Sequence, residues 1–137
     1  MTVYGIYTAK DQHTYLCELE RTEENAFLPV FQVTLAEPRP PGSRQDFHVS
    51  RWWGGMQVVL AGELEIGVSA GSHKTAVGKA GDVFIFLDTH GDGHTAARKG
   101  QDLFRGVSFR FQDPWPHLVK AYRGWPSDIV PPESVSA

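Results

Sequence analysis

All nine prolines of this chain stand at or before Pro41 or at or after Pro114, whereas twelve of its fourteen glycines fall between those limits. Proline cannot donate to a β-ladder and is kept out of central strands, while glycine serves the tight turns between them. Residues 42–113 are therefore expected to be closely connected strands, and the flanks to be arms. Short β-rich runs recur across this stretch: 47–53, 56–68, 73–77, 82–87, 94–98 and 103–111. Each break carries glycine, namely Gly54-Gly55, Ala70-Gly71, Gly78 through Gly81, Gly91 through Gly93 and Lys99-Gly100, and such spacing marks an antiparallel sandwich or barrel. TYLCEL (14–19) and VFQVTLA (30–36) add two strands upstream. One helix is expected over 114–124. Asp113 would cap it, Pro114 suits its first turn, Trp115, Leu118, Val119 and Tyr122 form its apolar stripe, and Gly124 ends it. It should pack on the outside of the sheets. The tail, 125–137, has little to bury and is expected to lie loose or to cross a neighbouring subunit.

A chain of 137 residues fits one domain with one core, given about 100–200 residues per domain. The net charge is −3 and no basic stripe is present to neutralise phosphates, which argues against a nucleic-acid partner. The opening MTVYGIYTAK lacks the basic-then-apolar order of a signal peptide, and no run approaches the roughly 18 apolar residues of a membrane span. A soluble, cytoplasmic protein is expected, with no membrane partner. The single cysteine, Cys17, allows neither an internal disulfide nor a thiolate zinc cluster and reads as a small buried residue.

QVVLAGELEIGV (57–68) and AGDVFIFLDTHGDGH (80–94) resemble the two motifs of the cupin superfamily, small jelly-roll barrels. The first family motif reads G-x5-H-x-H-x(3,4)-E-x6-G and the second G-x5-P-x-G-x2-H-x3-N, together covering about half of the chain. Counting back from Gly62 places Gly55 at the glutamate and Ser50 and His48 at the two histidines. In the second motif Leu87 replaces proline, and His94 follows a loop two residues longer. The run from Asp88 to His94 also resembles a subgroup of single-domain cupins with a D-T-x-G-x-G-H loop. The resemblance implies an all-β, single-domain, cupin-like jelly-roll β-barrel over 1–137 with one short C-terminal helix. An arm with strands (1–41) would precede the barrel core (42–113), and the function would lie in the barrel mouth.

With His48 facing the lumen, alternation puts Ser50 and Trp52 beside it and Phe47, Val49, Arg51 and Trp53 on the other face. Gln57 joins the lumen with Gly55 and Val59. His94 brings Ala96 and Arg98, and Phe84 and Phe86, or Val83 and Ile85, fill the wall. This is a mostly apolar small-molecule pocket with a few orienting polar groups. The candidate catalytic residues are His94 and His48, since an imidazole can move protons near neutral pH. The candidate substrate-binding residues are Gln57, Ser50, Trp52, Phe84, Phe86, Arg98 and Arg105; inward-turned arginines would grip a carboxylate. Arg51 is read as solvated, as are His13, His73 and His117, and Glu63 and Glu65 belong to a half-exposed strand.

The leading expectation is metal-independent acid/base chemistry, of isomerase, cyclase, epimerase or lyase type, on a carbonyl- or carboxylate-bearing metabolite, with no cofactor. A second reading is a metal-dependent oxygenase or lyase holding iron, manganese, nickel or zinc with His48, His94, His90 and Asp92. Asp and Gly in alternation are turn chemistry, however, so the loop aspartates are expected to bond their own backbone. A third reading is a sensor or carrier that binds a ligand without converting it. A homodimer is also expected, through spare aromatic surface at Trp53, Trp115 and Trp125.

Overall fold

The computed structural model describes residues 1–22, 25 and 27–134. Eleven strands and one helix follow in order: β1 (Val3–Thr8), β2 (Thr14–Arg21), β3 (Val30–Leu35), β4 (Arg44–His48), β5 (Gly55–Ala61), β6 (Glu63–Gly67), β7 (Thr75–Gly78), β8 (Val83–Phe86), β9 (His94–Lys99), β10 (Arg105–Phe111), α1 (Trp115–Ala121) and β11 (Tyr122–Arg123). They form a seven-stranded sheet, β11-β2-β1-β8-β5-β10-β3, and a four-stranded sheet, β4-β9-β6-β7. The protein is all-β apart from α1, and neither sheet closes on itself. No helix among the described residues is long and apolar enough to cross a membrane.

Most strands expected in the middle of the chain form, with Gly62 breaking one long run into β5 and β6, but the strand expected over 47–53 is displaced to 44–48 because the chain turns after His48. Two strands were not anticipated: the short β11, expected as helix, and β1, which lies inside the larger sheet, antiparallel to β2 and parallel to β8. A parallel neighbour needs a long crossover, and here everything between β1 and β8 supplies it.

The run VFIF of β8 is buried at every position because both of its faces are covered. Phe84 and Phe86 face the smaller sheet, where Ile6 and Val59 meet Leu64, Ile66 and Ala96. Val83 and Ile85 face the opposite way, into a core with Val3, Leu19, Phe111, Leu118 and Ile129. Phe84 is fully buried and stacks on Tyr4 at 5.1 Å. Phe84→Ala is expected to cost about 3–5 kcal/mol in urea unfolding, while Phe47→Ala, at a side chain 51% exposed, should change stability by only about 0.5 kcal/mol.

The helix is shorter than expected, and Asp113 does not cap it. Asp113 takes φ +44, and Pro114 occupies the capping position without a side-chain bond. Leu118 and Ala121 are the buried residues, whereas Val119 is 46% exposed. The chain leaves the helix at Tyr122 to pair with β2, so the stripe never completes a second turn. The tail is also tied down: Ile129 is buried and bridges Ala9, and the Val130 N–H donates to the Thr8 carbonyl at 2.8 Å. Its end, 135–137, lies outside the described residues. Trp53, Trp115 and Trp125 pack against the outer core, so the aromatic surface assigned to a dimer contact is largely used within the chain. Exposed apolar side chains lie instead on β3, at Phe31, Val33 and Leu35. Cys17 is half-buried, and burial pushes its thiol up to about 12.

Candidate active site

A cavity of about 490 Å³ opens between the two sheets. Ile66, Phe86, Ala96 and Phe104 give it an apolar floor continuous with the inter-sheet core. His48 ends β4 and His94 begins β9, and the two residues are register partners. Their rings come together with centroids 4.3 Å apart, and the Phe86 ring lies 4.5 Å from that of His94. The motif spacing therefore brings both histidines to one place.

Hydrogen bonds define the state of both imidazoles. His94 Nδ1 donates to the carboxylate of Asp88 at 2.6 Å, and Asp88 is wholly buried. The other Asp88 oxygen accepts from Ser50 Oγ at 2.9 Å, and the Asp88 carbonyl accepts the Ser50 N–H at 2.9 Å. His48 Nδ1 donates to the Asp46 carbonyl at 2.8 Å. Each neutral ring thus carries its proton on Nδ1 and its basic lone pair on Nε2.

Gln57, Phe86 and Arg98 line the cavity as alternation predicts, and Ser50 lines it too, held by Asp88 after β4 has ended. Three expected residues do not. Trp52 is turned out because β4 ends at His48, and the turn that follows, with Trp52 at φ +51 and Gly54 at φ +86, breaks the strand's parity. Its ring lies under the Arg110 guanidinium at 4.6 Å and meets Phe31 edge-on. Phe84 lies one repeat deeper than Phe86 and belongs to the sealed core. Arg105 is exposed, on the side of β10 opposite to Gly106, Ser108 and Arg110, which line the cavity.

His90 and Asp92 do not reach the histidine pair. His90 Nε2 lies 3.3 Å from a Glu133 carboxylate oxygen, and Asp92 accepts from His13 Nδ1 at 2.7 Å and Ser69 Oγ at 2.6 Å. Contrary to the expectation for this loop, Asp88 and Asp92 bond other side chains rather than their own backbone. The hydrogen bond and charge of Asp92 raise the pKa of exposed His13.

Asp88, expected only as a loop aspartate or an alternative to His90 and Asp92 as a metal ligand, has a role beneath His94 that the sequence reading did not reach. Its signal is a carboxylate placed directly after the buried run VFIFL, where a charge survives only if donors meet it. Arg39, Arg51 and Arg110 were also left out of the site, and they line the cavity together with Arg98. Among the described residues none of these four pairs with a carboxylate. Burial, and then the charge of Arg39, lower the pKa of Arg98; burial, and then the charge of Arg51, do the same to Arg110.

Metal ligation can be tested on the donor set. The cupin resemblance implies histidines at 48 and 50, a glutamate at 55 and a histidine at 94, and Ser50 and Gly55 supply no such ligand. No group of three His, Cys, Asp or Glu side chains converges among the described residues, and the carboxylate beside His94 is engaged by Nδ1. The donor set does not fit a tightly held divalent ion, which needs at least three protein ligands. Comparison with known protein families and with curated proteins finds no match to this chain.

Proposed function

We propose that this protein is a small cupin-like enzyme that moves protons on a carbonyl- or carboxylate-bearing metabolite, without a metal. The observation that carries this reading is the buried contact between Asp88 and His94. A carboxylate that fixes Nδ1–H leaves Nε2 as a base at the cavity and stabilises the imidazolium formed when that base takes a proton. His94 would remove a proton from carbon next to a carbonyl. His48, close by with its Nδ1–H held by the Asp46 carbonyl, would act as the acid in its imidazolium form, delivering the Nε2 proton to a neighbouring atom for an isomerase or lyase, or to the opposite face of the same carbon for an epimerase. Gln57 would hold the carbonyl oxygen, and the apolar floor would exclude water from the reacting carbon. The paired sheets and the motif positions support a jelly-roll relationship to cupins.

The test is deuterium wash-in at carbons next to the carbonyl, followed by proton NMR in D₂O over a panel of oxo acids. Wild-type protein should exchange at least one member, and His94→Gln should slow that exchange about 10²–10⁴-fold. Ligand binding without exchange for any member would make the protein a carrier. Stoichiometric bound metal, with exchange lost on chelation, would replace acid/base chemistry with metal chemistry.

A further inference from the structure

The arginines of the cavity form two groups rather than one. Arg110 pairs with Gly55 across β10 and β5, and Gly55 pairs with Phe86, whose ring touches His94. Arg51, on the turn after β4, also lines the cavity, and its charge acts on Arg110. The second group lies at the other end of the same strands. Arg98 follows His94 by four residues on β9, and its guanidinium lies 5.8 Å from the centre of the Phe104 ring. Arg39 is bridged to Phe104 by backbone bonds of 3.0 and 2.8 Å. At roughly 3.3 Å per residue, four residues of strand separate the two ends by about 13 Å at the backbone. Between them Gln57, Gly106 and Ser108 carry no charge.

Arg98 and Arg110 are half-buried and each has an exposed arginine, Arg39 or Arg51, as its neighbour; like charges held close repel, and an anion that both can fork relieves that repulsion. The Nε of Arg98 is buried with no hydrogen-bond partner among the described residues, and a buried donor left unpaired calls for an explanation. A molecule of net charge −3 that gathers four arginines against one glutamate, Glu37, around one cavity has a local excess of positive charge where a small anion would enter.

We infer that the substrate is an elongated dianion, with one carboxylate-like group held by Arg51 and Arg110 beside His94 and the other by Arg39 and Arg98 beside Phe104. This rests on the cavity being the reactive site. It narrows the substrate class to acids with an anionic group at each end and the reacting carbon near the Arg110 end.

Titration calorimetry at low salt tests it with α,ω-dicarboxylates from succinate to suberate, the monocarboxylates of equal length, and inorganic phosphate. One dicarboxylate length should bind at least about tenfold more tightly than its monocarboxylate. Arg98→Gln and Arg110→Gln should each remove that advantage, and Arg110→Lys, which keeps the charge but not the fork, should restore it only in part. Circular dichroism establishes that each variant is folded. Equal binding of mono- and dicarboxylates at every length would overturn the inference. So would phosphate binding that depends on only one of the arginine pairs and matches the best dicarboxylate. If a dicarboxylate binds as described while no oxo acid exchanges its protons, the acid/base reading fails and the two-ended anion site stands.

Discussion

Gly93→Ala should be among the most damaging single-methyl changes in this protein, destabilising it by about 2 kcal/mol or more and separating the two histidines. Gly93 has φ +75, and a Cβ there would fall well inside contact distance of the His48 carbonyl oxygen and 2.8 Å from the Val49 nitrogen. Both obstacles are backbone and cannot rotate away. Since β4 is an edge strand held to β9 alone, the cheapest relief is for the His48 end of β4 to peel off, which would widen the 4.3 Å spacing between the rings. Gly81→Ala is the control. Gly81 has φ +93, but nothing lies within 4 Å of a Cβ built there, so it carries only the left-handed backbone cost, about 1–2 kcal/mol. Urea unfolding of the two variants isolates the clash, and ¹H–¹⁵N correlation of the imidazoles follows the rings. Equal losses for the two substitutions would show that β4 adjusts without cost.

The same glycine shows how far the sequence could be read. Gly91 and Gly93 mark a turn in any reading of the chain, and the proline boundaries locate the sheets, because both effects are local properties of one or two residues. The meeting of His48 with His94 was legible through motif spacing, since register partners on adjacent strands stay together once the strands pair. Parity was less dependable. Alternation reached Ser50 but failed at Trp52, because the strand had ended and the intervening turn re-aims each side chain separately. Ser50 lines the cavity through its bonds to Asp88 rather than through strand geometry. The arginine groups were hidden for a different reason. Arg39, Arg51, Arg98 and Arg110 are scattered over 72 positions of chain, and only the pairing of β10 with β5 and of β4 with β9, with the bridge from Arg39 to Phe104, collects them. β1 escaped notice although it forms a hairpin with β2, because the connection between them, residues 9–13, contains neither glycine nor proline to mark the turn.

Asp88→Asn should leave the fold largely intact and slow proton exchange by about 10²–10⁴-fold. In the wild type two donors, Ser50 O–H and His94 Nδ1–H, meet the two oxygens of one buried carboxylate. An amide of the same shape offers one oxygen and one NH₂. The Ser50 hydroxyl can rotate to accept from the NH₂, because a hydroxyl both donates and accepts, whereas the imidazole could accept only by moving its proton to Nε2. The lower-energy arrangement therefore keeps the amide oxygen on His94 and the basic lone pair on Nε2. What is lost is the negative charge that stabilises His94 once it has taken a proton, so turnover suffers far more than stability. Asp88→Ala removes both acceptors, leaves two donors unpaired at about 1–3 kcal/mol each, and should reduce stability and exchange together. Imidazole ¹⁵N shifts distinguish the cases: Asp88→Asn should retain the Nδ1–H form. Wild-type exchange rates in a folded Asp88→Asn protein would mean that the carboxylate only fills space beneath His94, and that the base acts without it.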